Sequence, residues 1–135
     1  MGKQLSKWEG LVTEGRTAFS QDNFALAEER FLEALRIAEG APEQKQALES
    51  SLSLLAFFYC LRGRYQEAEG YWLRWLELLE QTYNHEAREV GTFIYNMAEW
   101  VYRPWGKDAE ADRLRQRAEV ICGEGFFRRA KYPTS

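Results

Sequence analysis

Three alanines, Ala27, Ala68 and Ala111, each sit in the same local setting and lie 41 and 43 residues apart. Around them the segments Asp22-Asn-Phe-Ala-Leu-Ala-Glu-Glu-Arg-Phe-Leu-Glu-Ala-Leu35, Arg64-Tyr-Gln-Glu-Ala-Glu-Gly-Tyr-Trp-Leu-Arg-Trp-Leu76 and Gly106-Lys-Asp-Ala-Glu-Ala-Asp-Arg-Leu-Arg-Gln-Arg-Ala118 align on one another. Each comes after a segment of helical character that ends at a Gly or Asn/Asp turn. A period of this length holding two helices describes a unit that buries its apolar face only against its neighbours, which is the logic of a helical solenoid. No stretch shows the period-two alternation of a strand, so the expected class is all-α.

Ser6-Lys-Trp-Glu9 has the S-x-x-E form of a capping box and predicts a first helix running to about residue 20, with Gln21-Asp-Asn23 as a turn. A second is expected over residues 24–39, with Phe24, Ala27, Phe31, Ala34 and Leu35 on one face. Gly40-Ala-Pro42 ends it, and Pro42 suits the first position of a third helix reaching residue 61. Within that third helix, Leu52-Ser-Leu-Leu-Ala-Phe-Phe-Tyr-Cys-Leu61 is apolar or aromatic at nine of ten positions, and charge resumes at Arg62. Ten residues are too few to span a bilayer, so the run predicts a central helix covered on most sides. Further helices are expected over residues 65–82, 86–103 (stopped by Pro104) and 108–122, with Gly123 as a C-terminal cap residue.

Composition narrows the function. The 135 residues suit one domain with a real core. Net charge is −3, with residues 1–102 carrying 10 Lys/Arg against 16 Asp/Glu and residues 103–135 carrying 8 against 5. Bulk charge therefore gives no reason to expect nucleic acid. Arg113, Arg115, Arg117, Arg128, Arg129 and Lys131 form a basic end beside Phe126, Phe127 and Tyr132, which reads as a solvated terminus, with RNA or an acidic partner as the alternative. Cys60 and Cys122 lack metal or disulfide spacing and read as reduced, core-type thiols. His85, the only histidine, sits in a connection without a nucleophile–base–acid arrangement, and no Gly-rich phosphate loop follows a strand, so no enzyme and no cofactor are expected. Without an apolar signal segment the default location is the cytoplasm. Met1-Gly-Lys-Gln-Leu-Ser6 fits an N-myristoylation pattern, and membrane contact is expected only if Gly2 is lipidated.

The pattern aromatic-x-x-Ala-x-x-x-aromatic resembles the second helix of a tetratricopeptide repeat, most closely in Gly63-Arg-Tyr-Gln-Glu-Ala-Glu69. Ser53-Leu-Leu-Ala-Phe-Phe-Tyr59 and Tyr95-Asn-Met-Ala98 resemble the first helices. Tyr83-Asn-His-Glu-Ala-Arg-Glu-Val-Gly-Thr-Phe-Ile94 is similar to the longer linker of the roughly 42-residue kinesin-light-chain subtype. The resemblance covers about residues 8–122. Glu14 stands where the pattern has Leu, Trp75 where it has a small residue and Arg115 where it has an aromatic, and Arg103-Pro-Trp-Gly106 carries one extra residue before the third turn.

The resemblance implies a right-handed α-α superhelix of three helical hairpins, over about residues 8–40, 42–82 and 86–122, with a short tail from 123 to 135. It also implies a non-enzymatic adaptor or scaffold that binds a peptide or helix of a partner protein along the face of the first helices. By helix position that face would present Val12, Thr13, Arg16 and Phe19, then Ser53, Leu54, Phe57, Cys60 and Leu61, then Tyr95, Asn96, Glu99, Tyr102 and Arg103. Leu54, Phe57 and Leu61 are the expected apolar anchors, and Asn96, with a donor and an acceptor, is expected to contact a ligand main chain or, alternatively, to cap a neighbouring turn or bond to Tyr102. Ser53, Leu54 and Phe57 leave the family's carboxylate clamp unfilled, so a free C-terminal carboxylate is not the expected target. The competing expectation is a homo-oligomerising assembly module using the same apolar surface, or insertion of the chain's own tail there.

Overall fold

The computed structural model describes residues 2–127. Every regular element among them is helical. The helices are α1 (Gly2–Ser20), α2 (Phe24–Glu39), α3 (Lys45–Leu61), α4 (Tyr65–Thr82), α5 (Arg88–Met97) and α6 (Asp108–Cys122), with a π-helical turn (Ala98–Tyr102) continuing α5. They pack as consecutive hairpins, α1 on α2, α3 on α4 and α5 on α6, with α2 against α3 and α4 against α5. None of these helices is long and apolar enough to cross a membrane.

The repeat seen in sequence is a repeat in three dimensions. At the end of each first helix one residue takes a left-handed conformation: Asp22 (φ 61°), Gly63 (φ 71°) and Gly106 (φ 82°). The next residue's N–H then reaches back to a carbonyl five residues earlier. Asn23 donates to Ala18, Arg64 to Tyr59 and Lys107 to Tyr102, each at 2.8 Å. These are Schellman turns, which satisfy carbonyls left open at a helix C-terminus. The second helix begins at once, and the anchor alanines donate identical 3.0 Å bonds to the carbonyls of Asn23, Arg64 and Lys107. Ala27, Ala68 and Ala111 are fully buried, as close approach of two helices requires. Gly15 serves the same end in the first hairpin, where an added Cβ would lie 2.5 Å from the Phe31 ring.

Between hairpins the fastener is a tyrosine. The Tyr59 hydroxyl donates to Glu28 Oε2 at 2.6 Å, and the Tyr102 hydroxyl to Glu69 Oε2 at 2.5 Å. Glu28 and Glu69 each come directly after an anchor alanine, so the two bonds are the same contact one repeat apart. Burial and then the neighbouring carboxylate push both phenols well above the usual tyrosine range. Burial pushes the Glu28 carboxyl up, but hydrogen bonds from Arg64 and Tyr59 outweigh it and hold the group below the ordinary carboxylate range.

Three details depart from the expected boundaries. Helix α1 runs through Ser6 to Gly2, so Ser6 and Glu9 lie inside a helix and do not cap it. The Trp8 indole N–H donates to Ser51 Oγ at 2.8 Å, tying the N-terminal part of α1 to α3. Helix α3 begins at Lys45, not Pro42. The Ala41 carbonyl accepts from the Gln44 N–H at 2.8 Å, which puts Pro42 second in a β-turn, a position its fixed φ suits equally well. The extra residue of the third repeat lies in the π-turn and not in residues 103–106. Ala56 to Ala98 is 42 positions, whereas Tyr59 to Tyr102 and Gly63 to Gly106 are both 43. The wider turn absorbs one residue and returns Tyr102 to its place against Glu69.

The run at residues 52–61 is the covered central helix. Leu52, Leu55, Ala56, Phe58, Tyr59 and Cys60 are buried, with α2 on one side and α4 on the other. Trp75, at a position where Ala34 and Ala118 are small, is half-buried against Phe57 (5.8 Å) and Phe93 (4.9 Å). Its bulk helps build an aromatic cluster between the second and third hairpins.

Candidate functional site

Leu54, Phe57 and Leu61 recur at helical spacing on the side of α3 that its neighbours leave uncovered. Together with Arg16 and Phe19 of α1, Phe31 of α2, and Ser53 and Phe58 they line a concavity of ≈ 220 Å³ open to solvent. Its surface is almost wholly apolar. Phe19 and Phe31 meet Phe58 edge-on at 5.9 Å and make the floor. Leu61 stands 59% exposed at the rim, a large aliphatic side chain surrendered to water. Ser53 spends its hydroxyl on the Ser50 carbonyl at 2.9 Å, as a helix-internal serine does, and adds little polarity.

Phe57 is the hub that couples this concavity to the core. It makes edge-to-face contacts with Trp72 at 5.0 Å and with Trp100 at 4.9 Å. Such ring pairs contribute about 0.5–1.5 kcal/mol beyond their buried area. Trp72 is 1% exposed and its indole N–H has no hydrogen-bond acceptor among the described residues. Burial pushes the nearby Cys60 thiol up. Trp100 belongs to the π-turn. Its side chain is 42% exposed and packs edge-on against Phe57, outside the lining of the concavity. Trp100, Phe31 and Phe58 are absent from the residues expected from sequence; the 43-residue spacing was the available sign of Trp100, but it does not reveal where the extra residue sits.

The residues expected on the partner-binding face therefore divide. Arg16, Phe19, Leu54, Phe57 and Leu61 come together around one concavity. The five from the third repeat do not join them. Tyr95 is stacked on Phe127 at 4.1 Å, with the Arg115 guanidinium 5.8 Å over its ring. Tyr102 is 6% exposed and committed to Glu69. Arg103 meets Glu99 at 3.5 Å, Asp112 at 3.1 Å and Asp108 at 3.6 Å, and these carboxylates outweigh burial to raise its pKa. Asn96 is exposed and its side chain makes no hydrogen bond among the described residues. Of the others expected on this face, Val12 and Cys60 are buried and Thr13 is exposed.

At the basic end, Arg113 pairs with Glu110, Arg115 with Glu119 and Arg117 with Glu80. Arg128, Arg129, Lys131 and Tyr132 lie outside the described residues. His85 Nδ1 is 2.9 Å from Glu80 in an exposed connection. Among the described residues no three His, Cys, Asp or Glu side chains are grouped so as to hold a metal ion.

The chain matches no family model, and no curated protein matches it.

Proposed function

We propose that this chain is a tetratricopeptide-like adaptor whose three hairpins coil as a right-handed superhelix, and that it binds a peptide or helix of a partner protein without chemistry of its own. The observation that carries the reading is the open apolar concavity formed by Leu54, Phe57 and Leu61 with α1. Side chains of this size are worth about 1.5–3 kcal/mol each when fully buried, and here a row of them is only partly covered. An apolar centre with polar flanks is the usual anatomy of a protein-binding surface. The setting we propose is the cytoplasm, with Cys60 and Cys122 as free thiols.

The test is to pan a random 12-residue peptide display library on the immobilised protein, with counter-selection on a variant carrying Leu54→Glu and Leu61→Glu. Peptides should enrich on the native chain over the variant, while circular dichroism shows the variant equally helical. Absence of enrichment overturns the reading. A second reading, assembly of the chain with itself, draws on the same exposed Leu61 and Trp100; a strict monomer in light scattering at high concentration removes it.

A further inference from the structure

Among the described residues no hairpin follows the third, yet Val90, Ile94 and Ala118 on its outer side are fully buried. The residue that covers them is Phe127, itself 1% exposed. Ala118 stands at the repeat position of Trp75, on which Phe93 of the following helix packs at 4.9 Å. Phe127 thus takes on Ala118 the place that the next hairpin's aromatic takes on Trp75. Its segment is attached to α5 through rings. Phe127 stacks on Tyr95 at 4.1 Å, and Phe126 lies under the Arg88 guanidinium at 5.4 Å. The backbone bonds of the segment run from Gly123 N–H to the Glu119 carbonyl and from Phe126 N–H to the Gly123 carbonyl, and among the described residues none reaches α5. The bend that brings the rings back is made by Gly123 and Gly125, both at positive φ, and glycine adopts an extended conformation as readily. Three residues before that bend stands Val120, 85% exposed, the most exposed large apolar side chain among the described residues.

We infer that two copies of this chain exchange Phe126 and Phe127, on a surface separate from the groove of the adaptor reading. The hinge at residues 123–125 straightens, and the rings of each copy enter the seat that Val90, Ile94, Tyr95 and Ala118 form on the other. The fit of this seat is displayed by one occupant, the chain's own aromatic pair, and a second copy supplies the same atoms. Every contact of the seated rings therefore reappears in the exchanged form. What changes is the hinge conformation, the entropy of association and the contact made near the hinge. Residues 123–125 span at most about 11 Å when extended, so the two α6 ends lie side by side, with Val120 of each copy covered by the other. Exchange of this kind is two-fold and closes on itself, giving a dimer and not a filament.

The test is to refold the full chain from urea at millimolar concentration and to separate the species by size-exclusion chromatography with light scattering. A dimer should appear. When it is refolded from an equal mixture of isotope-labelled and unlabelled chain, isotope-filtered nuclear Overhauser contacts should join Phe127 of one copy to Ile94 and Tyr95 of the other. Deleting Glu124 and Gly125 leaves a hinge too short to turn the rings back on their own seat, and should convert the chain from mostly monomer to mostly dimer at equal concentration. Val120→Lys should lower the dimer fraction several-fold by setting two cations against each other, with the circular dichroism of the monomer unchanged. Phe127 contacts that stay within one copy of the dimer overturn the exchange and assign self-association to another surface. A strict monomer from both the native and the shortened chain overturns it as well, and a dimer fraction indifferent to Val120→Lys overturns the side-by-side arrangement of the α6 ends. None of these outcomes bears on the adaptor reading, which the peptide panning tests by itself.

Discussion

The α3 and α5 stretches occupy the same position in successive hairpins, yet one is open and the other is occupied by its own chain. Around α3 the outward row Leu54, Phe57, Leu61 borders an unfilled concavity. Around α5, Tyr95 lies under Phe127, and Arg103 is held by three carboxylates. The cause is local. Gly123 and Gly125, with φ of 102° and 85°, bend the chain after α6 so that Phe126 and Phe127 pack back on Val90, Ile94 and Ala118. A repeated backbone therefore does not imply a repeated surface: the residues just beyond α6 decide which part of the face stays available.

The two helices also differ in how they carry their residues to the shared tyrosine turn, and deletions should expose this most strongly. Removing Phe58 from α3 throws every later residue of that helix out of register with α2 and α4, and the protein should not fold. Removing Trp100 converts the π-turn to ordinary helix and returns Tyr102 to Glu69. The deleted chain should fold, losing about 1–2 kcal/mol for the half-buried ring. Circular dichroism and urea unfolding of the two variants check this, and equal damage from both would break the assignment of the insertion.

Phe57→Ala comes next. It removes contacts to Trp72, Trp75 and Trp100 together, and should cost about 2–3 kcal/mol in denaturant unfolding, somewhat below the roughly 3–5 kcal/mol of a fully buried aromatic. A loss of peptide binding in this variant therefore mixes stability with contact, which is why the panning test above uses Leu54 and Leu61.

Smaller still are the hydroxyl deletions. Tyr59→Phe should cost about 1 kcal/mol, because Glu28 keeps Arg64 at 3.0 Å. Tyr102→Phe should cost somewhat more, about 1–2 kcal/mol, because no ion pair supports Glu69 among the described residues. Thermal melts across pH sharpen the contrast. A raised phenol favours the neutral form, so both tyrosines stabilise the fold fully below about pH 10 and the gain is lost as pH climbs towards their raised values. Glu28 is lowered, so its contribution is present above the ordinary carboxylate range and disappears as pH falls through its depressed value. The native chain should therefore lose stability at both extremes, and Tyr59→Phe should flatten part of each limb. A variant profile parallel to the native one would contradict the shared hydrogen bond.

Much of this fold is legible in the sequence because helix-forming physics is local. The spacing of Ala27, Ala68 and Ala111, the Gly or Asp at each turn, and the apolar run at residues 52–61 specify antiparallel hairpins and a covered central helix without any long-range contact being known. Helices α2, α4 and α6 begin and end where periodicity and capping place them. Less was legible where two local solutions have similar energy. Pro42 serves a β-turn or a first helical turn, and Ser6 caps a helix only if nothing holds the residues before it; here Gln4 and Leu5 lie beside Ile37, Ala38 and Ala41.

The proposed binding face was half legible for the same reason. Helix position alone names Leu54, Phe57 and Leu61, since a row at helical spacing on a helix with neighbours on two sides must point to the third. Position cannot say whether another part of the chain arrives to cover a row, nor that one inserted residue widens a turn into which Trp100 falls. Those outcomes depend on contacts between residues such as Tyr95 and Phe127, 32 positions apart, or Phe57 and Trp100, 43 apart. The local pattern determined the hairpins. Only long-range packing determined which part of their common face is open.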